Sequence, residues 1–170
     1  RAVGVTPDLA LGDYDSSPVP QDARELICLP AEKDDTDTFF AVKKALEKGC
    51  EQVVLLGALG GRMDHTMANL QTLIFLQEQG VRAWAADEAQ EITVLGEGVH
   101  SIPARKGWYL SFFSCGESAK GISLKGVKYP LSNAEITYLW PVGVSNEFEE
   151  PEAQVSVLEG KLYCMLCKME

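Results

Sequence analysis

The sequence predicts two domains, an α/β domain with a parallel sheet followed by an all-β domain, and three observations predict it. Apolar strand-like runs alternate with helical patterns up to about residue 86, an order that implies parallel strands joined by crossover helices. Beyond Glu91 no helical periodicity remains, only short β-branched and aromatic segments separated by glycines, which read as a small β-sandwich. Between the two lies Asp87–Gln90, where the alternation breaks, so the boundary falls at Asp87–Glu91 and divides 1–88 from 89–170.

Bulk properties narrow the field. A chain of 170 residues can bury a sizeable core. Its formal charge of -10 argues against a general binder of nucleic-acid backbone, which needs a basic footprint to displace counterions. An anionic substrate would then need local cations. No apolar run is long enough to span a membrane, and the N-terminal residues lack the layout of a signal peptide, so the chain reads as cytoplasmic. It begins at Arg1 without Met, and this start reads as internal to a larger protein. The five cysteines are odd in number and scattered, which does not suggest a disulfide framework. Cys164 and Cys167 have C-x-x-C spacing inside an apolar strand and read as core residues rather than zinc ligands.

The first strand is expected around Leu9–Leu11, and Gly12-Asp13-Tyr14-Asp15-Ser16 follows it directly. Ligands bind at such strand ends in parallel sheets, and two carboxylates one residue apart can share a hard cation such as Mg²⁺. Gly, Asp and Ser also favour plain solvated turns. A second strand lies within Glu25–Pro30. Then Glu32-Lys33-Asp34-Asp35-Thr36-Asp37 stands ahead of a helix expected over Thr36–Lys48. Asp34 or Thr36 can cap that helix, and acids in its first turn complement its dipole. Capping accounts for one or two of these acids, and the rest beside a lysine read either as a ligand site or as a solvated, charged helix start.

Gln52–Leu59 is a near-continuous apolar run of the kind that fills a buried parallel strand. It leads into Gly60-Gly61-Arg62-Met63-Asp64-His65. Glycines let the backbone turn tightly, and a helix start adds partial positive charge, so this junction can hold a phosphate beside Arg62. An ordinary strand-to-helix turn has the same composition. The helix is expected over His65–Gln79, with Met67, Leu70, Leu73 and Ile74 toward the core, and Val81–Ala86 is the next strand. Later strands are expected near Val99–Ile102, Trp108–Phe113, Ile122–Leu124, Glu135–Leu139, Gln154–Leu158 and Leu162–Leu166. The loop Trp140–Asn146 separates two of them. His100 falls in a strand pattern that suits a satisfied or surface histidine. No nucleophilic triad is evident, whereas metal-assisted phosphoryl chemistry needs mainly carboxylates, cations and positioning.

Taken together, the motifs at Gly12–Ser16, Lys33–Asp37 and Gly60–His65, with Ala68-Asn69 behind the last, resemble the thiamine pyrophosphokinase family. The resemblance continues through Gly126–Leu131 and Gly143–Glu147. It implies a Rossmann-like α/β catalytic domain followed by a thiamine-binding β-sandwich. It implies Mg²⁺-dependent transfer of a diphosphoryl group from the co-substrate ATP to the thiamine hydroxyl, and a homodimer with its sites at the interface. On these residues, Asp13, Asp15 and Asp37 would be the magnesium acids. Lys33, Asp34 and Thr36 would line the cleft with Gly60, Gly61 and His65, and Arg62 and Asp64 would complete the phosphate side. Ser145 and Asn146 would face thiamine, and Trp140 would offer a stacking surface. Two departures stand out: Glu32 replaces a usual Asp, and the family's first strand and helix portion would precede the equivalent of Val3. The alternatives are a pyrophosphokinase for another alcohol, or a non-catalytic sensor of thiamine or nucleotide on the same fold.

Overall fold

The computed structural model describes residues 4–15, 18–30, 32 and 34–169, which form two compact units, 1–50 and 51–170. In the first unit, strands β1 (Leu9–Gly12) and β2 (Glu25–Cys28) pair in parallel, and helix α1 (Asp37–Glu47) follows them. Thr36 is the residue that caps α1, its hydroxyl accepting the Phe39 N–H at 3.2 Å. Val42 is the buried residue of the helix. Lys48 at its C-terminal end pairs with Glu25 of β2 at 2.6 Å, placing a cation where the helix dipole is negative.

The second unit opens with β3 (Gln52–Leu56), α2 (Met63–Glu78) and β4 (Arg82–Ala86). Strands β3 and β4 pair in parallel around the α2 crossover, as the alternating pattern demands. The chain then turns back on itself. Asp87 accepts the N–H groups of Ala89 and Gln90 at 2.8 and 2.7 Å and donates its own N–H to the Gln90 carbonyl. The tight turn delivers β5 (Gln90–Leu95) antiparallel to β4. Residues 87–90 are therefore a turn within one sheet, and β5 is a strand that the sequence reading did not single out.

Antiparallel strands β6 (Gly98–Pro103), β7 (Trp108–Ser114), β8 (Ser118–Lys125), β9 (Leu131–Thr137), β10 (Glu152–Val157) and β11 (Leu162–Lys168) complete the chain. Together with β3, β4 and β5 they form a five-stranded sheet ordered β3-β4-β5-β11-β7 and a four-stranded sheet ordered β6-β10-β8-β9. The expectation of one parallel N-terminal sheet is corrected here. Among the described residues parallel pairing is confined to β1–β2 and β3–β4, and the second pair belongs to a sheet whose other pairings are antiparallel. The physical reason is the short turn after β4, since a reversal of three residues can only join antiparallel neighbours.

One apolar cluster draws side chains from both sheets of this unit, with Leu110, Phe112, Leu162 and Cys164 from one and Ile122, Leu124, Ile136 and Val155 from the other. Helix α2 packs on β4 and β5 through Asn69, Thr72, Leu73 and Leu76, spaced for one helical face. Met67, expected inside, is 51% exposed, because at 3.6 residues per turn it lies on the side of α2 away from that face. Cys164 is buried as expected and Cys167 is half-buried. The His100 imidazole is satisfied by the Gly96 carbonyl at 2.8 Å.

Candidate active site

In the first unit the carboxylate turn and the helix start converge. Asp13 leaves the C-terminal end of β1 half-buried, and Asp15 beside it is exposed. The Asp15 N–H points toward Asp13 Oδ1 at 3.4 Å, the sign of a tight turn. Tyr14 between them has φ +55°, a left-handed backbone that a bulky side chain rarely adopts. Its ring folds back beneath Gly12, and a Cβ on Gly12 would stand 3.5 Å from Asp37 Oδ2 and 3.8 Å from the Tyr14 ring. Asp37, the first residue of α1, is thus held against the last residue of β1. Burial, with the neighbouring Cys28 and Asp37, raises the Tyr14 phenol above its ordinary pKa. A cavity of about 610 Å³ opens here, with Leu11, Tyr14, Asp37 and Thr38 in its lining.

Asp34 is exposed just before the Thr36 cap, and Asp35 is paired with Lys43 of α1. Thr36 spends its hydroxyl on the helix cap. Lys33 lies outside the described residues.

In the second unit the glycine turn has the conformation that its composition predicts. Gly60 and Gly61 have φ of +78° and +65°, and both are exposed. Arg62 takes the N-cap position of α2 and makes no capping bond with its side chain. Its guanidinium is gripped instead by Asp64, with Nε to Oδ1 at 3.1 Å and Nη2 to Oδ2 at 2.5 Å. That two-point hydrogen bond from Arg62 holds the Asp64 carboxyl below its ordinary pKa. Asp64 Oδ1 also accepts the His65 N–H at 2.9 Å. Two further bonds lock the turn to its helix, Thr66 Oγ1 donating to the Gly60 carbonyl at 3.1 Å and buried Asn69 donating to the Ala58 carbonyl at 2.8 Å. The exposed glycine turn at the N-terminus of α2, with Arg62 at its N-cap, suits an anion.

The loop after β9 is the third element. Trp140 is 69% exposed and follows exposed Tyr138 and Leu139. Ser145 has φ +58° and donates its N–H to the hydroxyl of Ser111 at 2.9 Å. Asn146 is different in kind: it is 2% exposed, and its amide is engaged within the protein. Nδ2 donates to the Tyr129 carbonyl at 2.8 Å, while Oδ1 accepts the N–H groups of Tyr129 and Glu147 at 3.0 Å each. Ser111 had no local signal in the sequence, since it acts on a residue 34 positions away, whereas Tyr129 lay within the Gly126–Leu131 stretch without a stated role. Among the described residues no three His, Cys, Asp or Glu side chains converge as a preformed metal cage.

Comparison with known proteins gives two family matches that together cover most of the chain. Residues 1–85 match the thiamin pyrophosphokinase catalytic domain, and residues 99–162 match the thiamin pyrophosphokinase vitamin B1 binding domain. The chain is 31% identical over 166 residues to thiamine pyrophosphokinase of Bacillus subtilis, covering 94% of this chain and 78% of that protein. It is 26% identical over 154 residues to thiamin pyrophosphokinase 1 of Caenorhabditis elegans, covering 83% of this chain and 62% of that protein. The crystal structure of the Bacillus subtilis protein superposes with a TM-score of 0.88 at 29% identity, covering 98% of this chain and 81% of that one.

Proposed function

This chain belongs to the thiamin pyrophosphokinase family, and from that premise we propose how its residues divide the work. The activity is that of a thiamine pyrophosphokinase, a transferase that moves a diphosphoryl group from ATP to the hydroxyl of thiamine and yields thiamine diphosphate and AMP. The observation that carries the residue assignment is the approach of Asp37 to Gly12, which brings the acid at the start of α1 beside the Asp13–Asp15 turn.

The donor set fits Mg²⁺. Asp13, Asp15 and Asp37 offer hard carboxylate oxygens, the donor type that Mg²⁺ takes together with water and substrate phosphate oxygens. When bound, Mg²⁺ would neutralise charge on those phosphate oxygens. The chain's own groups do the rest. Arg62, oriented by Asp64, and the N–H groups of Gly60 and Gly61 receive phosphate oxygens at the α2 N-terminus, with His65 beside them. Lys33 and Asp34 are assigned to the cleft from the family motif, and Thr36 sets the start of α1 by capping it. A cleft carboxylate takes the proton of the thiamine hydroxyl as that oxygen attacks phosphorus in line and AMP leaves. Ser145 meets thiamine, Trp140 offers a stacking face, and Asn146 holds the loop that carries both.

The catalytic part is assigned to 1–88, and the thiamine-binding part to 89–170, a β-sandwich. The two family matches support this division although one sheet runs through it. A homodimer is proposed because Tyr138, Leu139 and Trp140 are 64%, 76% and 69% exposed beside the Ser145 loop, an apolar surface that a second copy would cover. Cytoplasmic residence is supported by five free cysteines. Among the described residues no helix is long and apolar enough to cross a membrane.

The test is product analysis of the full-length protein with ATP, thiamine and Mg²⁺. AMP and thiamine diphosphate in equal amounts, and only with metal, are the expected products. Thiamine binding without AMP would identify a sensor, and AMP with another alcohol alone would move the specificity elsewhere.

A further inference from the structure

Strand β7 hydrogen-bonds to the loop 143–146 at two points. Phe112 donates to the Gly143 carbonyl at 3.0 Å, and Leu110 and Asn146 exchange two bonds of 2.9 Å. Between these points β7 has one residue, Ser111, whereas the loop has two, Val144 and Ser145. Two residues opposite one make a bulge, a device that re-aims a side chain at the cost of an unpaired backbone group.

In this bulge the Ser145 N–H finds its acceptor in a side chain rather than in the β7 backbone. Ser111 pairs through its backbone register with Met165 of β11, on the other side of the strand. Its side chain serves the loop instead: Ser111 Oγ accepts the Ser145 N–H at 2.9 Å, in a position only 5% exposed. The bond holds Ser145 at φ +58°, a left-handed backbone that a residue with a Cβ does not favour. Asn146 pins the next residue to Tyr129 and Glu147. Ser145 is therefore fixed on both sides, by a hydroxyl at one and an amide at the other.

We propose that Ser111 is a positioning residue for thiamine, whose hydroxyl completes the bulge and thereby sets the direction of the Ser145 side chain. This rests on the reading of Ser145 as a thiamine contact. Ser111 touches neither substrate. It acts through the backbone of its neighbour.

Steady-state kinetics of the full-length protein test this with Ser111→Ala, Ser111→Thr and Ser145→Ala. Loss of the Ser111 hydroxyl should raise the KM for thiamine about tenfold, since small misplacements of a substrate contact are costly, and leave the KM for ATP within about twofold. Ser111→Thr keeps the acceptor and should stay within about threefold of the parent for thiamine. The Ser145 amide should exchange hydrogen faster in Ser111→Ala than in Ser111→Thr. If Ser111→Ala fails to fold, Ser111→Cys, with a weaker acceptor at the same place, carries the same comparison. An unchanged thiamine KM in Ser111→Ala beside a raised one in Ser145→Ala would overturn the proposal alone. No effect in Ser145→Ala would remove the thiamine contact on which it rests. Equal rises for both substrates with a lower melting temperature would reduce Ser111 to a structural role and also overturn it.

Discussion

The side-chain amide of Asn146 forms a closed pair with the backbone of Tyr129, donating to its carbonyl at 2.8 Å and accepting its N–H at 3.0 Å. The pair ties the segment after β8 to the loop that carries Ser145. Replacing Asn146 by Ala would leave the Tyr129 and Glu147 groups unpaired at a site 2% exposed, a loss of about 3 kcal/mol. Urea unfolding should show it directly. Asn146→Asp keeps the acceptor but sets a carboxylate against the Tyr129 carbonyl. Burial would raise that carboxyl's pKa, so the variant should gain stability as pH falls and lose it as pH rises through the raised value. A pH-independent deficit would refute the argument.

Asp13 and Asp37 come from different elements but share the turn after β1, through Gly12. Each is replaced by Asn without change of volume, so the fold should survive. Turnover should drop on the order of 100-fold, the usual cost of removing one charge stabiliser from a phosphoryl-transfer site. AMP release and circular dichroism, measured on the same samples, check both halves. Near-normal turnover in the two variants would detach these acids from the metal.

Gly126 has φ +76°, and a Cβ there would meet the Glu152 carbonyl oxygen at 2.3 Å. Both the conformation and the contact are backbone features, so no side chain can move to relieve them. Gly126→Ala should cost more than 2 kcal/mol or so. Gly107, with φ +79° and nothing within 4 Å, isolates the conformational part, which is about 1 kcal/mol for Ala. Equal melting temperatures for the two variants would show that the strand shifts to make room.

Burial pushes the thiols of Cys115 and Cys164 up to about 12 and the phenol of Tyr163, which also faces Cys115, up to about 12. In the unfolded chain these groups titrate near their ordinary values of about 9 and 10. The folded state therefore binds more protons between those values and 12. Their contribution to stability is complete below about pH 8.5 and is lost as pH rises toward 12. The urea midpoint should fall across that window, and less steeply in Cys115→Ala/Cys164→Ala. Parallel slopes in parent and variant would exclude the thiols as the cause.

Much of this protein was legible in its sequence because the relevant physics is local. Helix α1 is written in the Thr36 cap and the apolar spacing behind it, and the Gly60–Gly61 turn in the residues that tolerate positive φ. The three motifs and their order after strands were enough to point to the family. Tertiary structure decided what depends on partners far along the chain. The antiparallel join of β4 to β5 comes from how Asp87 folds its own turn and from the β11 strand that pairs β5, some 70 residues later. The sequence cannot report that the Asn146 amide is engaged by Tyr129, 17 residues away, or that the Ser111 hydroxyl meets Ser145, 34 residues away. A periodicity reports which face of an element is apolar; it cannot report which distant backbone group a buried polar atom will satisfy, because that choice is made only when the strands have paired.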